Sequence, residues 1–348
     1  MNPIQVLIVD DSAVSRELLT HIIESDSGLK VVGKVENGEE ALKFISENKP
    51  HIVMMDIVMP KMDGYEATRR IMESFPLPII IVSGIYNAKE VKQGYRALSA
   101  GALAILSKPA GLRDPKYQEI AQSLIQAIKV LSNVKIKPRP LSVFHSPTQT
   151  QPAPIFAKGT LSVDAIAIGA SVGATQSLST ILSPLPQDFP VPILITQQFG
   201  SGFMEGLVDW LASSCALKIK LATDGEVLVP STIYVCPDKH HLEVGPGKTL
   251  KLTPEASNQP APSIDLFFRS IADQMGAKSI AILLAGHGND GIDGLLAIKQ
   301  KGGLALVQDE ESSLLAEKSH QAIEAGAASQ VVSLNEIATT LESLVKLK

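Results

Sequence analysis

Short apolar runs alternate with stretches of helical period along almost the whole chain, and the alternation occurs twice. In the first series the runs are 6–9, 31–35, 52–55, 79–82 and 103–106. Helical patterns at 12–24, 39–47, 65–73 and 89–100 lie between them, and 117–131 closes the set. Strands that each hand on to a helix form a parallel sheet with both faces covered, and such strands read as continuous apolar runs. A second series has runs at 165–168, 192–196, 233–235, 280–284, 304–307 and 330–332, with helical patterns at 206–213, 266–275, 291–299 and 334–346. Between the two series, Pro138, Pro140, Pro147, Pro152 and Pro154 sit among Ser, Thr, Gln and Lys, and no period survives. Such a stretch is a semi-extended linker. The expected organisation is a domain at 1–132, a linker at 133–160 and a domain at 161–348, both domains α/β.

The totals exclude several classes of function. With 45% hydrophobic residues the 348-residue chain can fill two cores. A net charge of −5 without a long basic run argues against nucleic acid as the main partner. Cys215 and Cys236 have no metal-like spacing and suit a reducing, cytoplasmic setting. The opening MNPIQVLIVDDS meets acids directly after its apolar run and does not read as a signal peptide. No apolar run is long enough to insert into a bilayer.

In a parallel sheet the carboxyl ends of the strands share one crevice. In the first domain those ends carry Asp10 and Asp11, Asp56, Ser83 and Lys108. Three carboxylates in one crevice call for a cation, and Mg²⁺ with oxygen ligands fits best, held by Asp10, Asp11 and Asp56. A carboxylate beside Mg²⁺ and an ammonium can attack a phosphoryl donor. Ser83 and Lys108 would then receive the phosphoryl oxygens. The segments VDDS, MDIVMPKMDG and SKP resemble the response-regulator receiver family across this whole domain. The resemblance implies a five-stranded flavodoxin-like fold with Asp56 as phosphoacceptor. It also implies a histidine kinase as phosphodonor. One departure is Ile105, where receivers usually carry Tyr or Phe three residues before the lysine.

In the second domain three loops at strand ends hold the chemistry. The stretch VDAIAIGASVGATQS reads as strand, tight turn, Ser171 and helix start near Thr175, with backbone N–H groups available to an oxyanion. The second loop is TQQFGS at 196–201. The third is GHGNDGIDG at 286–294, bearing His287, Asn289, Asp290 and Asp293. NDGIDG lacks the alternating acids and closing Glu of a calcium loop. GASVGA lacks the acidic residue that a dinucleotide fold carries on its next strand, where this chain has TQQ.

IGASVGAT, LLAGHGNDG and PSIDLFF resemble the protein-glutamate methylesterases of chemotaxis, the CheB family, from about residue 165 to the end. The resemblance implies a Rossmann-like, doubly wound α/β esterase domain and hydrolysis of γ-glutamyl methyl esters on chemoreceptors. It also implies deamidation of glutamines there, with Ser171 as nucleophile and Asp290 as the buried aspartate. No cofactor is implied for this domain. Receptors and a chemotaxis histidine kinase are the expected partners, the second domain being masked or released by the phosphorylatable first. The family's histidine follows the second strand in ITQH. This chain has ITQQ, so Gln198 stands at that position, and an amide does not take a serine proton at neutral pH. Further departures are VGA for TGG, Ala261-Pro262 for the arginine before PSID, and His287 for the methionine of GMGNDG. Two readings follow. His287, three residues from Asp290, replaces the missing imidazole, with backbone N–H groups near Val172 and His287 holding the oxyanion. Alternatively the domain is a non-catalytic adaptor that binds receptor or kinase. Among the other histidines, His241 matches one in the family and is expected to be structural, His240 lies beside it, and His320 lies on a helix. A transcription factor would need a basic recognition helix, and the second domain has none.

Overall fold

The computed structural model describes residues 2–84, 88–134, 136, 162–198, 202–256 and 260–345. The chain divides into two compact units, Met1–Thr150 and Gln151–Lys348. Most of the linker expected at 133–160, and the end of the TQQFGS loop, lie outside the described residues.

The first unit runs β1 (Ile4–Val9), α1 (Ala13–Glu24), β2 (Leu29–Val35), α2 (Gly38–Glu47), β3 (Ile52–Met55), α3 (Gly64–Ser74), β4 (Ile79–Ser83), α4 (Ala88–Ser99), β5 (Ala104–Ser107) and α5 (Tyr117–Leu131). Ser12, Asn37 and Asp63 start the first three helices. Each side chain accepts the backbone N–H three residues on, from Ser15, Glu40 and Glu66. β3 and β4 are buried along their whole length, which is why they read as unbroken apolar runs. The parallel sheet has the order β2-β1-β3-β4-β5. Its strand order reverses between β1 and β3, so a crevice opens at their carboxyl ends.

The second unit runs β6 (Ala165–Ala170), α6 (Thr175–Leu182), β7 (Ile193–Gln197), α7 (Met204–Ala212), β8 (Lys218–Leu221), β9 (Thr232–Val235), β10 (His240–Gly245) and β11 (Thr249–Pro254). It continues with α8 (Ile264–Met275), β12 (Ser279–Leu283), α9 (Ile292–Gln300), β13 (Leu304–Gln308), α10 (Glu317–Glu324), β14 (Gln330–Val332) and α11 (Leu334–Leu344). Seven parallel strands lie in the order β14-β13-β12-β6-β7-β9-β8, and β10-β11 form a separate antiparallel pair. β6 sits between β12 and β7, so the loops after β6 and β12 flank the switch point. This sheet has one strand more than the apolar runs predict. β8 reads KIKL and is half exposed at the sheet edge, so it has no apolar run to reveal it. Short, charged edge strands also resist pairing with other chains. β10 packs on α8 through Leu242 and Val244, both in the domain core.

Candidate active site and phosphorylation crevice

In the first unit, β1 ends at Asp10, which is 1% exposed. Its carboxylate accepts Ser12 N–H at 3.0 Å, Ser15 Oγ–H at 2.6 Å and Lys108 Nζ at 2.6 Å. The same Lys108 ammonium lies 3.1 Å from Asp56 Oδ2, and Ile57 N–H donates to Asp56 Oδ1 at 2.8 Å. One oxygen from each of Asp10, Asp11 and Asp56 lies within 4.8 Å of the others, a cluster able to hold a metal ion. Burial pushes the Asp56 carboxyl up to about 6; Lys108 opposes that and the Asp10 charge adds to it. Burial pulls Lys108 down, but Asp56 and Asp10 outweigh it and hold the ammonium above its ordinary value. Ser83 is buried at the end of β4, its hydroxyl donating to Gly84 O at 3.3 Å. The sheet thus gathers these residues at one end of the first unit, with Lys108 between two of the acids.

In the second unit, β6 delivers Ser171, which is 3% exposed. Its Oγ has no hydrogen-bond partner among the described residues. The oxygen lies against the start of the loop after β12: a Cβ on Gly286 would stand 1.8 Å from it. Only glycine fits there, so the glycine-rich loop allows backbone to approach the nucleophile-type hydroxyl. From β7, Gln197 Nε2 donates to Ser171 O at 3.1 Å, and Gln198 N–H donates to Ala170 O at 2.9 Å. These bonds fix the turn that carries Ser171.

Asp290 lies on the N-terminus of α8. Its carboxylate accepts Ile264 N–H at 2.8 Å, Asp265 N–H at 3.0 Å and Ser263 Oγ–H at 3.1 Å. The unpaired donors of a first helical turn favour an anion there. The fourth donor is Gln198 Nε2, at 2.6 Å from Asp290 Oδ2. The second hydrogen of that amide nitrogen goes to Pro262 O at 3.1 Å. Two flanking acceptors therefore orient the amide, and it donates to Asp290 where an imidazole N–H would. The arrangement is reciprocal, because Asp265 on α8 accepts Gly294 N–H of α9 at 2.7 Å. Burial and the charge of Asp290 raise the Asp265 carboxyl above the usual range.

His287 is placed with Glu317. Its Nδ1 is 2.5 Å from Glu317 Oε2, and both side chains are more than a third exposed. No hydrogen bond joins it to Ser171 Oγ. His241 is buried and its Nδ1 accepts Ser263 N–H at 3.2 Å. His240 binds Asp238 O, and His320, on α10, meets Glu310 of the preceding loop and Glu324 of its own helix.

Three residues absent from the expected site are part of it here. Ser263 and Asp265 belong to the PSID segment, where a Ser before an apolar-periodic run and an acid in the first turn signal a helix start. The third is Lys318, fully buried, whose Nζ donates to Asp290 O at 2.7 Å. Its only sequence signal is Ala322 four residues on, which places both on the inner face of α10. Together these groups form a buried cluster. It holds a nucleophile-type hydroxyl, a carboxylate saturated with donors, and a buried amine.

The family model of CheB methylesterase matches residues 166–341, and that of the response regulator receiver domain matches residues 6–116. A relative from Geobacter metallireducens, named protein-glutamate methylesterase/protein-glutamine glutaminase 4, is 39% identical over 344 residues, 98% of this chain and 99% of the relative. One of the same activity name from Syntrophus aciditrophicus is 41% identical over 349 residues, 98% of each chain. The solved CheB methylesterase catalytic domain of Thermotoga maritima is 32% identical with a TM-score of 0.49, covering 52% of this chain and 98% of its own.

Proposed function

Because this chain belongs to the CheB methylesterase family and carries a receiver domain in front, we propose that it is a phosphorylation-regulated protein-glutamate methylesterase and protein-glutamine glutaminase. It is a carboxylic ester hydrolase of chemotaxis, acting on chemoreceptors, with Ser171 as nucleophile. The observation that carries this reading is the unpartnered, buried Ser171 hydroxyl set against Gly286 at the switch point of the sheet. Ser171 Oγ attacks the glutamyl ester carbonyl, methanol leaves, and water hydrolyses the acyl-serine to a glutamate carboxylate. With a glutamine side chain the leaving group is ammonia. Backbone N–H groups near Val172 and His287 hold the oxyanion. Asp290 keeps the loop after β12 docked on α8 through its four donors. His287, held by Glu317, stands at the exposed side of that loop.

In the receiver, an Asp56 carboxylate oxygen attacks the phosphorus of a phosphohistidine on the chemotaxis histidine kinase. Ser83 and Lys108 receive the phosphoryl oxygens. The clustered oxygens of Asp10, Asp11 and Asp56 are hard ligands that suit Mg²⁺, and these three residues would hold it. When bound, Mg²⁺ offsets the negative charge that phosphorylation concentrates in the crevice. Among the described residues no helix is long and apolar enough to cross a membrane.

A second reading, a non-catalytic adaptor, is favoured by one observation: Gln198, which cannot take a proton at neutral pH, holds Asp290. Methanol release from methylated receptor by the full chain separates the two. We expect wild-type release to exceed that of Ser171→Ala by on the order of 10³-fold or more. Equal, background-level release by both proteins would leave only the adaptor.

A further inference from the structure

Gln198 cannot act as a base and no hydrogen bond joins His287 to Ser171 Oγ, so the proton of Ser171 needs an acceptor. We propose that Lys318 is that acceptor, so that the second unit works as a serine–lysine hydrolase. The proposal rests on the reading of Ser171 as nucleophile and adds the base to it.

Two backbone hydrogen bonds clamp the entry to α10 onto the site: Gly286 N–H to Leu315 O at 3.0 Å, and Lys318 N–H to Gly286 O at 3.1 Å. They turn the Lys318 side chain inward. The Cβ position of Gly286 is 1.8 Å from Ser171 Oγ and 3.6 Å from Lys318 Cε. The hydroxyl and the lysine stem thus flank the same glycine, without a hydrogen bond between them in this state, and Nζ is a single bond beyond Cε. The lysine is wholly buried, and its Nζ bonds to a peptide oxygen, Asp290 O, rather than to a carboxylate. A buried ammonium without an ion-pair partner is costly, and the neutral amine is the form such a place favours. Burial pulls Lys318 below its ordinary value of 10.5. The charged groups facing it oppose this shift: Asp290 on the loop after β12, Asp265 on α8, and Glu317 beside it on α10. A neutral amine can keep one N–H on Asp290 O and offer its lone pair to Ser171.

The proton balance closes. As Ser171 Oγ bonds to the ester carbon, its proton passes to Lys318 Nζ. The ammonium then protonates the departing methoxide, giving methanol and returning the amine. In the second half water attacks the acyl-serine and gives its proton to Nζ. Collapse of that intermediate returns the proton to Ser171 and frees the glutamate.

Diisopropyl fluorophosphate tests this without a receptor, since Ser171 displaces fluoride from it with the same need for a base. The full chain is labelled across pH and the rate at Ser171 is read by mass spectrometry. We expect a rise to a plateau through a single deprotonation with its midpoint below 10.5. The position of that limb should persist in His287→Asn. Lys318→Met should lose about 10²–10⁴-fold of the plateau rate, the range of general-base catalysis. Lys318→Ala should recover part of it with added small primary amines, which a merely structural lysine, or a misfolded variant, would not show. Labelling of Lys318→Met at the wild-type rate, a limb that moves with His287→Asn, or no wild-type labelling at any pH would each overturn the proposal. If labelling follows the expected pattern but wild type releases no methanol from methylated receptor, Lys318 stands as the base and the methylesterase reading falls.

Discussion

At the scale of single residues, the receiver crevice stores a charge it does not favour. Asp56 titrates at 3.8 in an unfolded chain and at about 6 when folded, because burial penalises the carboxylate more than Lys108 relieves it. The folded state therefore binds more protons between those values, and stability falls as pH rises through that window. Below about pH 3 both states are protonated and the penalty vanishes. Asp56→Asn should then stabilise the receiver at pH 7 by up to about 3 kcal/mol and leave it unchanged near pH 3. Lys108 keeps its bond to Asp10 in that variant. Urea unfolding in the presence of a chelator measures this, and a gain independent of pH would contradict it. A carboxylate as poorly neutralised as Asp56 gains from any cation brought to it.

At the scale of elements, the second unit uses the start of α8 as its anion site. Ser263 both caps the helix, accepting Leu266 N–H at 3.3 Å, and donates to Asp290. Ser263→Ala removes both at once, and we expect a loss of about 1–2 kcal/mol in denaturant unfolding. Ser263→Thr, which keeps the hydroxyl, should recover most of it. If Ala and Thr behave alike, the hydroxyl does not hold this helix start. Asp290 and Asp265 each accept from the helix that follows the other's loop, so α8 and α9 are locked as a pair at the mouth of the switch point. That lock gives Asp290 a structural role that needs no imidazole.

For the whole molecule, a receiver and an esterase share one chain, and the receiver's signal must reach the second unit as a change in rate. Treatment with acetyl phosphate and Mg²⁺ should raise methanol release on the order of tenfold, the range of ordinary coupling energies. Asp56→Asn should abolish that response. A rate blind to the phosphodonor would show the two activities to be uncoupled. Ile105, fully buried in β5, means that any such response proceeds without an aromatic rotamer at that position.

The sequence by itself determined the repeating architecture, because apolar period is a local property and each buried strand carries it. It also placed Asp10, Asp56, Ser83 and Lys108 on one crevice, since a parallel sheet puts every strand end on the same side. That an amide, Gln198, follows the second strand of the second unit was equally legible. Strand β8 was not, because an edge strand half in water needs no apolar run, and neither was the β10–β11 pair, whose apolar residues alternate with polar ones. Only the tertiary structure decided what the site residues touch. Gln198 meets Asp290 across 92 residues of chain, and Lys318 reaches the backbone of the same aspartate across 28. A lysine in EKSHQAIE has the composition of a solvated helix face. It is buried because two backbone hydrogen bonds to Gly286 turn that face inward, and no periodicity in the chain encodes those bonds.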